Sequence, residues 1–189
     1  RPEGLSPDSI YLIPLRIKSV SAYEINPDKR TVLYRVLLKN DYAFQSPVTT
    51  YQTRGLEEHF DAEKGKDIRK SFSLTRYVLP LTKNSIRCFV GLNSYDASKL
   101  TKADIRKYAM CITINEDATL TITPMGTAQI EMLDKAGESN YYTTYEKNNI
   151  KYQAFYLNYR YRLLKDGKDG SNGDADYDIW YTMEETMIR

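Results

Sequence analysis

At positions 151–163 the chain reads Lys151-Tyr-Gln-Ala-Phe-Tyr-Leu-Asn-Tyr-Arg-Tyr-Arg-Leu163, and after a polar loop it continues as Tyr177-Asp-Ile-Trp-Tyr-Thr-Met183. Side chains of two kinds alternate in the first segment. One face carries Phe155, Leu157, Tyr159, Tyr161 and Leu163. The other face carries Tyr156, Asn158, Arg160 and Arg162. A period of two is typical of a β-strand buried on one side. The two segments therefore predict an antiparallel β-hairpin.

The same side chains predict how the two strands pair. The favoured register makes the inner pairs Tyr161–Ile179, Tyr159–Tyr181 and Leu157–Met183. On the outer face it places Arg160 opposite Trp180 as a cation–π contact, and Arg162 opposite Asp178 as a pair of opposite charges. A slip of one residue would mix the two faces. In this register Tyr177 also belongs to the inward face.

The rest of the chain repeats this strand pattern in shorter pieces. Strands are predicted at Ile10–Val20, Thr31–Lys39, Val48–Gly55, Phe72–Pro80, Ser85–Leu92, Met110–Asn115, Thr119–Thr123, Ala128–Leu133, Tyr141–Glu146, Tyr152–Leu164 and Tyr177–Met187. Thr101 and Asp104 form a capping-box pattern that opens one short helix, Lys102–Tyr108. The charged stretch Glu57–Arg69 is predicted to be a loop. The fold class is therefore all-β, an antiparallel β-barrel or barrel-like sandwich with one short helix.

Composition excludes several classes of function. The chain has 189 residues, 17 of them Tyr, and its 27 Lys and Arg are mixed with 25 Asp and Glu to a net charge of +2. A nucleic-acid-binding protein needs a concentrated basic surface, so no nucleic acid is expected as a partner. No apolar run approaches the ~20 residues of a membrane-spanning helix.

The reactive residue types are few. Cys88 and Cys111 lie in predicted strands, where buried free thiols are favoured over a disulfide. His59 is the only histidine, which excludes a multi-His metal site within one chain. Glu184 and Glu185 are adjacent on a strand and point to opposite faces, so they cannot act together on a glycosidic bond. No catalytic residue and no cofactor are predicted.

One acidic segment has features of a calcium-binding loop. Asp174, Asp176 and Asp178 with Glu185 imitate an EF-hand loop, but Ile179 stands where that loop requires Gly. A looser site could use Asp166, Asp169, Asp174 and the backbone carbonyls of this loop. A solvated Gly/Asn/Asp hairpin loop is the preferred interpretation, so no metal is predicted.

Two parts of the chain resemble a known family. Leu5-Ser-Pro-Asp-Ser-Ile-Tyr-Leu-Ile-Pro-Leu-Arg-Ile-Lys-Ser19 is similar to the closing strands of an immunoglobulin-like N-terminal domain in Bacteroidetes surface lipoproteins. Phe155-Tyr-Leu-Asn-Tyr-Arg-Tyr161 and Tyr181-Thr-Met-Glu-Glu-Thr-Met-Ile-Arg189 resemble the barrel domain that often follows it. The resemblance implies that residues 1–42 are the last strands of a truncated immunoglobulin-like β-sandwich and that residues 43–189 are a C-terminal antiparallel β-barrel domain.

The resemblance also implies a place in the cell. Members of this family occur with polysaccharide-utilisation systems at the outer-membrane surface. They are exported through a signal peptide and held by a lipid anchor, which would lie outside this chain. The exposed strand edges of residues 1–40 are expected to pack against the barrel or to pair with a second chain.

The outer face of the hairpin is the predicted ligand site. Flat aromatic rings bind the apolar faces of pyranoses while nearby polar groups bind their hydroxyls. That composition is offered by Trp180, Tyr156, Arg160 and Asn158. Tyr141, Tyr142 and Tyr145 could add a second aromatic strip. The alternative is that Trp180 is covered by a neighbouring domain or by Arg160.

The predicted function is a non-enzymatic cell-surface lipoprotein domain that binds or helps to capture a polysaccharide or oligosaccharide. The alternative is a structural or adhesion module that mediates assembly with other surface proteins. An exposed Trp180 beside a groove favours the first function, and a flat apolar patch favours the second.

Overall fold

The computed structural model describes residues 5–94, 100–134, 139–165 and 176–189. Within these ranges the strands are β1 (Tyr11–Arg16), β2 (Thr31–Val36), β3 (Thr49–Asp61), β4 (Lys66–Thr82), β5 (Ser85–Phe89), β6 (Ala109–Ile114), β7 (Leu120–Pro124), β8 (Gln129–Met132), β9 (Tyr141–Lys147), β10 (Ile150–Arg162) and β11 (Tyr181–Ile188). The helix in the same ranges is α1 (Lys102–Tyr108), and it has the predicted Thr101–Asp104 capping box. No helix among the described residues is long and apolar enough to cross a membrane.

Nine of the strands form one antiparallel sheet that curls into a nearly closed barrel. Its order is β7-β6-β5-β4-β3-β11-β10-β8, and β9 lies beside β8 on the same edge of β10. The two ends of the sheet meet where Thr119 pairs with Tyr141 and where the Ile122 backbone N–H donates to Met132 Sδ at 3.3 Å. The predicted fold class is confirmed, and the barrel is the form that the sheet takes.

The inner faces of the strands enclose one apolar core. Its fully buried members include Tyr51, Val78, Ile86, Met110, Ile112, Phe155, Leu157, Tyr159, Met183 and Met187. The predicted inner face of β10 is therefore confirmed, with Leu163 and Tyr181 partly buried against the core. Tyr177 was expected to face inward, but it lies outside β11 with its ring against the Arg162 guanidinium.

The C-terminal hairpin pairs two residues away from the predicted register. Tyr161 lies opposite Tyr181, and Tyr159 lies opposite Met183. A shift of two residues keeps every side chain on its predicted face, because sides alternate with a period of two. The observed register differs because β11 also pairs with β3 on its other side, and because Glu185 has a buried partner on β4, the next strand beyond β3.

The stretch predicted as a charged loop is mostly strand. β3 continues to Asp61, β4 begins at Lys66, and the turn between them contains Gly65 at φ 61°. Asp61 Oδ1 accepts hydrogen bonds from the Glu63 and Lys64 backbone N–H groups at 3.1 Å each. Charged side chains alone were a poor guide, because a hairpin with oppositely charged neighbours across its strands satisfies them.

The two cysteines are free, as expected. Cys88 is buried and Cys111 is partly buried on the neighbouring strand. Burial raises the pKa of the Cys88 thiol to about 12. The thiol therefore stays protonated and packs as a small apolar group.

β1 and β2 form a separate two-stranded ribbon that lies largely in solvent. One face of the ribbon carries Tyr11, Ile13, Leu15, Val32, Tyr34 and Val36. Ile13 is 50% exposed and Tyr34 57% exposed. The segment before the ribbon is tied to the barrel, since the Arg87 guanidinium binds the Asp8 carboxylate at 2.5 and 2.6 Å. The division into residues 1–42 and 43–189 stays a prediction.

Candidate functional site

Trp180 stands just before β11 on the outer face of the sheet and is half-buried. The guanidinium carbons of Arg160 and Arg162 lie 4.6 and 4.7 Å from its ring centroid. The predicted cation–π contact is therefore present, although the backbone partner of Arg160 is Thr182. The indole covers both arginines, which holds their long side chains in place.

The two arginines differ in their other partners. Arg160 donates from Nε and Nη2 to Glu131 Oε2, at 2.8 and 2.6 Å. Arg162 donates from Nε to Gln129 Oε1 at 2.7 Å. The predicted Arg162–Asp178 pair does not form, because the register places Arg162 beside residue 180 rather than residue 178.

Two stacked pairs of tyrosines continue the same face along β10. Tyr141 and Tyr156 have ring centroids 4.5 Å apart, and Tyr145 and Tyr152 have centroids 5.2 Å apart, each pair at an interplanar angle of 15°. One face of each ring is covered by its partner. Tyr142 does not join this strip, because it points inward and packs edge-on against Tyr42 at 5.1 Å.

Asn158 lies between the Trp180 contact and the tyrosine stacks, but it is only 8% exposed. Its backbone N–H donates to Asn140 Oδ1 at 2.9 Å, and its backbone carbonyl accepts from Asn140 Nδ2 at 3.0 Å. The Asn140 side chain thus pairs with β10 as a strand residue would, in the gap between β8 and β9. Asn158 forms the floor of the face rather than an exposed polar group.

The structure therefore brings Trp180 and Arg160 together and sets Tyr156 apart from them. Tyr156 and Arg160 are four residues apart on one face, which corresponds to about 13 Å along the strand. The outer face is a line of planar side chains rather than one compact pocket. Such a line suits an extended chain of repeating units more than a single small molecule.

The barrel interior contains a charged cluster that the sequence analysis missed. Arg76 Nη2 lies 2.6 Å from Glu185 Oε2 and also donates to the Gly91 carbonyl at 2.7 Å. Tyr159 Oη donates to Glu185 Oε1 at 3.0 Å and accepts from the Gly91 N–H at 3.0 Å. The available signal was an acid or a base at an inward position of an otherwise apolar strand face.

Burial governs the ionisation of this cluster. Burial and the neighbouring Glu185 carboxylate raise the pKa of Tyr159, so its hydroxyl stays protonated and donates. Burial opposes the charge of Arg76, but the Glu185 carboxylate raises the pKa of the guanidinium overall. The cluster is a neutral, hydrogen-bonded unit, which is how buried ions are tolerated.

A second inward acid stands nearer the end of the barrel. The Glu57 side chain is 8% exposed, and its carboxylate lies 4.0 Å from His59 Nδ1, too far for a hydrogen bond. His59 Nδ1 is buried without a hydrogen-bond partner among the described residues. Burial raises the pKa of Glu57, while His59 and Lys70 oppose that change. Glu57 and Glu58 were predicted to lie in a loop, whereas β3 directs Glu57 inward.

Among the described residues, no three His, Cys, Asp or Glu side chains converge on a point where they could hold a metal ion. Asp166, Asp169 and Asp174, the acids of the possible calcium loop, lie outside the described residues.

Several solved structures of Bacteroides proteins have folds similar to that of this chain. A structural-genomics protein of unknown function from Bacteroides ovatus is 18% identical, with a TM-score of 0.60 and coverage of 98% of this chain and 59% of that chain. An auxiliary nutrient binding protein from Bacteroides thetaiotaomicron is 15% identical, with a TM-score of 0.52 and coverage of 98% and 58%. A multidomain protein from Bacteroides ovatus is 16% identical, with a TM-score of 0.53 and coverage of 84% and 53%.

These likenesses support the fold, and this chain spans less than two thirds of each of the three similar structures. No curated protein matches the sequence. Residues 30–188 match the model of a protein family whose description is "-like, C-terminal". Because that match covers most of the chain, the protein belongs to this family of C-terminal domains.

Proposed function

We propose that the chain is a non-enzymatic cell-surface domain that binds glycans or helps to capture them. The ligand would lie along the outer face of β10, on Trp180, Tyr156 and Arg160, with Asn158 beneath it. The observation that carries this proposal is the line of planar side chains on that face, from the Tyr145–Tyr152 stack to the Trp180 indole. Planar rings and fixed polar groups are the usual partners of pyranose rings.

Two further observations support a binding role. One similar solved structure carries the name auxiliary nutrient binding protein, and binding of a nutrient glycan is consistent with that name. The acids of β11 do not form a hydrolytic pair, because Glu184 faces solvent while Glu185 is buried against Arg76. The outer-membrane location and the lipid anchor are part of this proposal, on the strength of the family resemblance.

Trp180 allows a direct test because it is the only tryptophan in the chain. A glycan array would identify ligands, and titration of each hit with detection of tryptophan fluorescence would report contact at this face. We expect Trp180→Ala to lose array binding, whereas Tyr23→Ala, at a tyrosine that is 87% exposed in the β1–β2 connection, should bind normally. Binding that is unchanged in Trp180→Ala would remove this site.

The second candidate function is protein–protein assembly, and the β1–β2 ribbon favours it. Both faces of the ribbon expose large apolar side chains, including Leu12 at 51% and Leu33 at 60%. Exposed apolar strands with free edges are ready to pair with another chain. Sedimentation over a concentration series tests self-association. Leu33→Lys should abolish association through the Leu12–Leu33 face and Thr31→Lys, at the end of the ribbon, should preserve it, whereas a monomer at all concentrations argues against self-association.

A further inference from the structure

Arg162 is a half-buried cation that has no acidic partner among the residues the structure describes. Its Nε donates to the neutral amide of Gln129, and its guanidinium lies 4.8 Å from the Tyr177 ring centroid and 4.7 Å from that of Trp180. No carboxylate of the described residues forms an ion pair with it, and its Nη groups donate to none of them.

Two neighbouring cations have acidic partners. Arg160 binds Glu131 through two hydrogen bonds, and Lys165 Nζ lies 3.0 Å from Asp176. The guanidinium carbons of Arg160 and Arg162 lie 4.6 and 4.7 Å from the same Trp180 ring centroid, so their like charges are close enough to repel. Arg160 therefore has the Glu131 carboxylate as its partner, whereas the described contacts of Arg162 are two aromatic rings and the Gln129 amide.

We propose that Arg162 is the subsite for an anionic group of the bound glycan, a carboxylate or a sulfate. The ligand of the outer face is therefore an acidic polysaccharide. This inference rests on the proposed glycan-binding function and adds the chemical class of the ligand.

The geometry suits an anion for two reasons. A guanidinium presents its N–H donors in a planar fork that matches two oxygens of a carboxylate or a sulfate. Two aromatic rings and the Gln129 contact hold this fork before any ligand arrives, which lowers the entropy cost of binding. The side chains that fix Arg162 belong to the same face as the proposed sugar platform, so one chain of sugars can contact both.

The experiment uses pairs of polysaccharides that differ only in charge. Polygalacturonate is compared with its methyl ester, and dextran sulfate is compared with dextran, by Trp180 fluorescence and calorimetry at two salt concentrations. We expect the charged member of at least one pair to bind about 10- to 100-fold more tightly than its neutral partner, as one charge-assisted bidentate contact provides. The responding pair tells whether carboxylate or sulfate is the anion.

Variants separate this contact from general charge attraction. Arg162→Gln should abolish the preference for the charged member, and Arg162→Lys should restore only part of it. Lys165→Gln removes the same charge three residues away and should leave the preference intact. Thermal unfolding of each variant checks that it is folded.

The possible results distinguish failure of the anionic subsite from failure of glycan binding. Equal binding of charged and neutral members, or a preference that survives in Arg162→Gln, overturns the anionic subsite and leaves glycan binding in place. An absence of binding by every charged and neutral glycan on the array overturns the proposed function and the subsite with it.

Discussion

The guanidinium of Arg76 and the carboxylate of Glu185 form an ion pair inside the barrel, with Nη2 2.6 Å from Oε2 and the two side chains 1% and 0% exposed. The pair joins β4 to β11 across the intervening β3. Tyr159 binds the other carboxylate oxygen, so three strands contribute to one polar cluster. Two buried charges are tolerated here because each compensates the other.

We expect Arg76→Met and Glu185→Met each to lower the free energy of unfolding by about 3–5 kcal/mol, because each change leaves the other charge buried without its counter-charge. The double variant Arg76→Met/Glu185→Met should lose less than the sum of the Arg76→Met and Glu185→Met losses. Urea denaturation of the four proteins of that cycle measures the coupling. Additive losses would mean that the pair does not act as a unit.

Glu57 should make the protein less stable as the pH rises. Burial raises the pKa of this carboxyl in the folded state, so the folded protein binds its proton more tightly than the unfolded chain does. The contribution to stability is therefore complete below the unfolded pKa and is lost as the pH rises through the folded pKa. Glu57→Gln imitates the protonated form and should raise the free energy of unfolding at pH 7.

The matched control for Glu57 is its neighbour in sequence. Glu58→Gln removes the same charge on the outer face, where Glu58 lies 3.7 Å from Arg69. Denaturation at several pH values should show a flatter profile for Glu57→Gln and an unchanged one for Glu58→Gln. Identical profiles for the two variants would contradict a specific role of buried Glu57.

Alanine substitutions at two glycines would distinguish backbone strain from steric overlap. Gly91 and Gly65 have φ 60° and 61°, but a Cβ on Gly91 would overlap the buried Tyr161 ring, whereas a Cβ on Gly65 would meet nothing within 4 Å. Gly65→Ala should cost about 1 kcal/mol from strain alone. Gly91→Ala should cost about 1–3 kcal/mol more, because Tyr161 has no space to move. Equal shifts in thermal unfolding would show that the ring yields.

Asn140 should be needed to hold β8 and β9 against β10. Its side chain makes three hydrogen bonds, two to the Asn158 backbone and one to the Leu133 carbonyl at 2.9 Å. Asn140→Gly keeps the φ of 58° accessible and removes the three bonds, at about 1 kcal/mol for each bond.

A second asparagine provides the control for that change. Asn149 has φ 61° in the β9–β10 turn and is exposed, so Asn149→Gly should be nearly neutral. Hydrogen exchange of the Asn158 backbone N–H should be faster in Asn140→Gly than in the unsubstituted protein, and unchanged in Asn149→Gly. Unchanged protection of that amide would show that the side chain is dispensable.

Alternation in β10 was enough to predict which side chains face the core, because a strand has only two sides and apolar groups gain by burial. The short helix was predictable because its capping box is local. The paired tyrosines Tyr141 and Tyr156 were predicted for the same face, but their stacking depends on the register between β9 and β10. The site residues Trp180 and Arg160 were paired correctly in spite of a wrong register, since long side chains reach across a shift of two residues.

The sequence by itself determined the strand faces, the all-β class, the free thiols and the aromatic character of the C-terminal hairpin, since these follow from the properties of neighbouring residues. Only the tertiary structure decided the register of β11, the inward course of Glu57, the Arg76–Glu185 pair and the contacts of Arg162 with Trp180, Tyr177 and Gln129. Each of these depends on which residue of a distant strand lies opposite, as with Arg76 and Glu185, which are separated by 109 positions. Such pairings are set by closure of the barrel, and alternation along one strand carries no information about them.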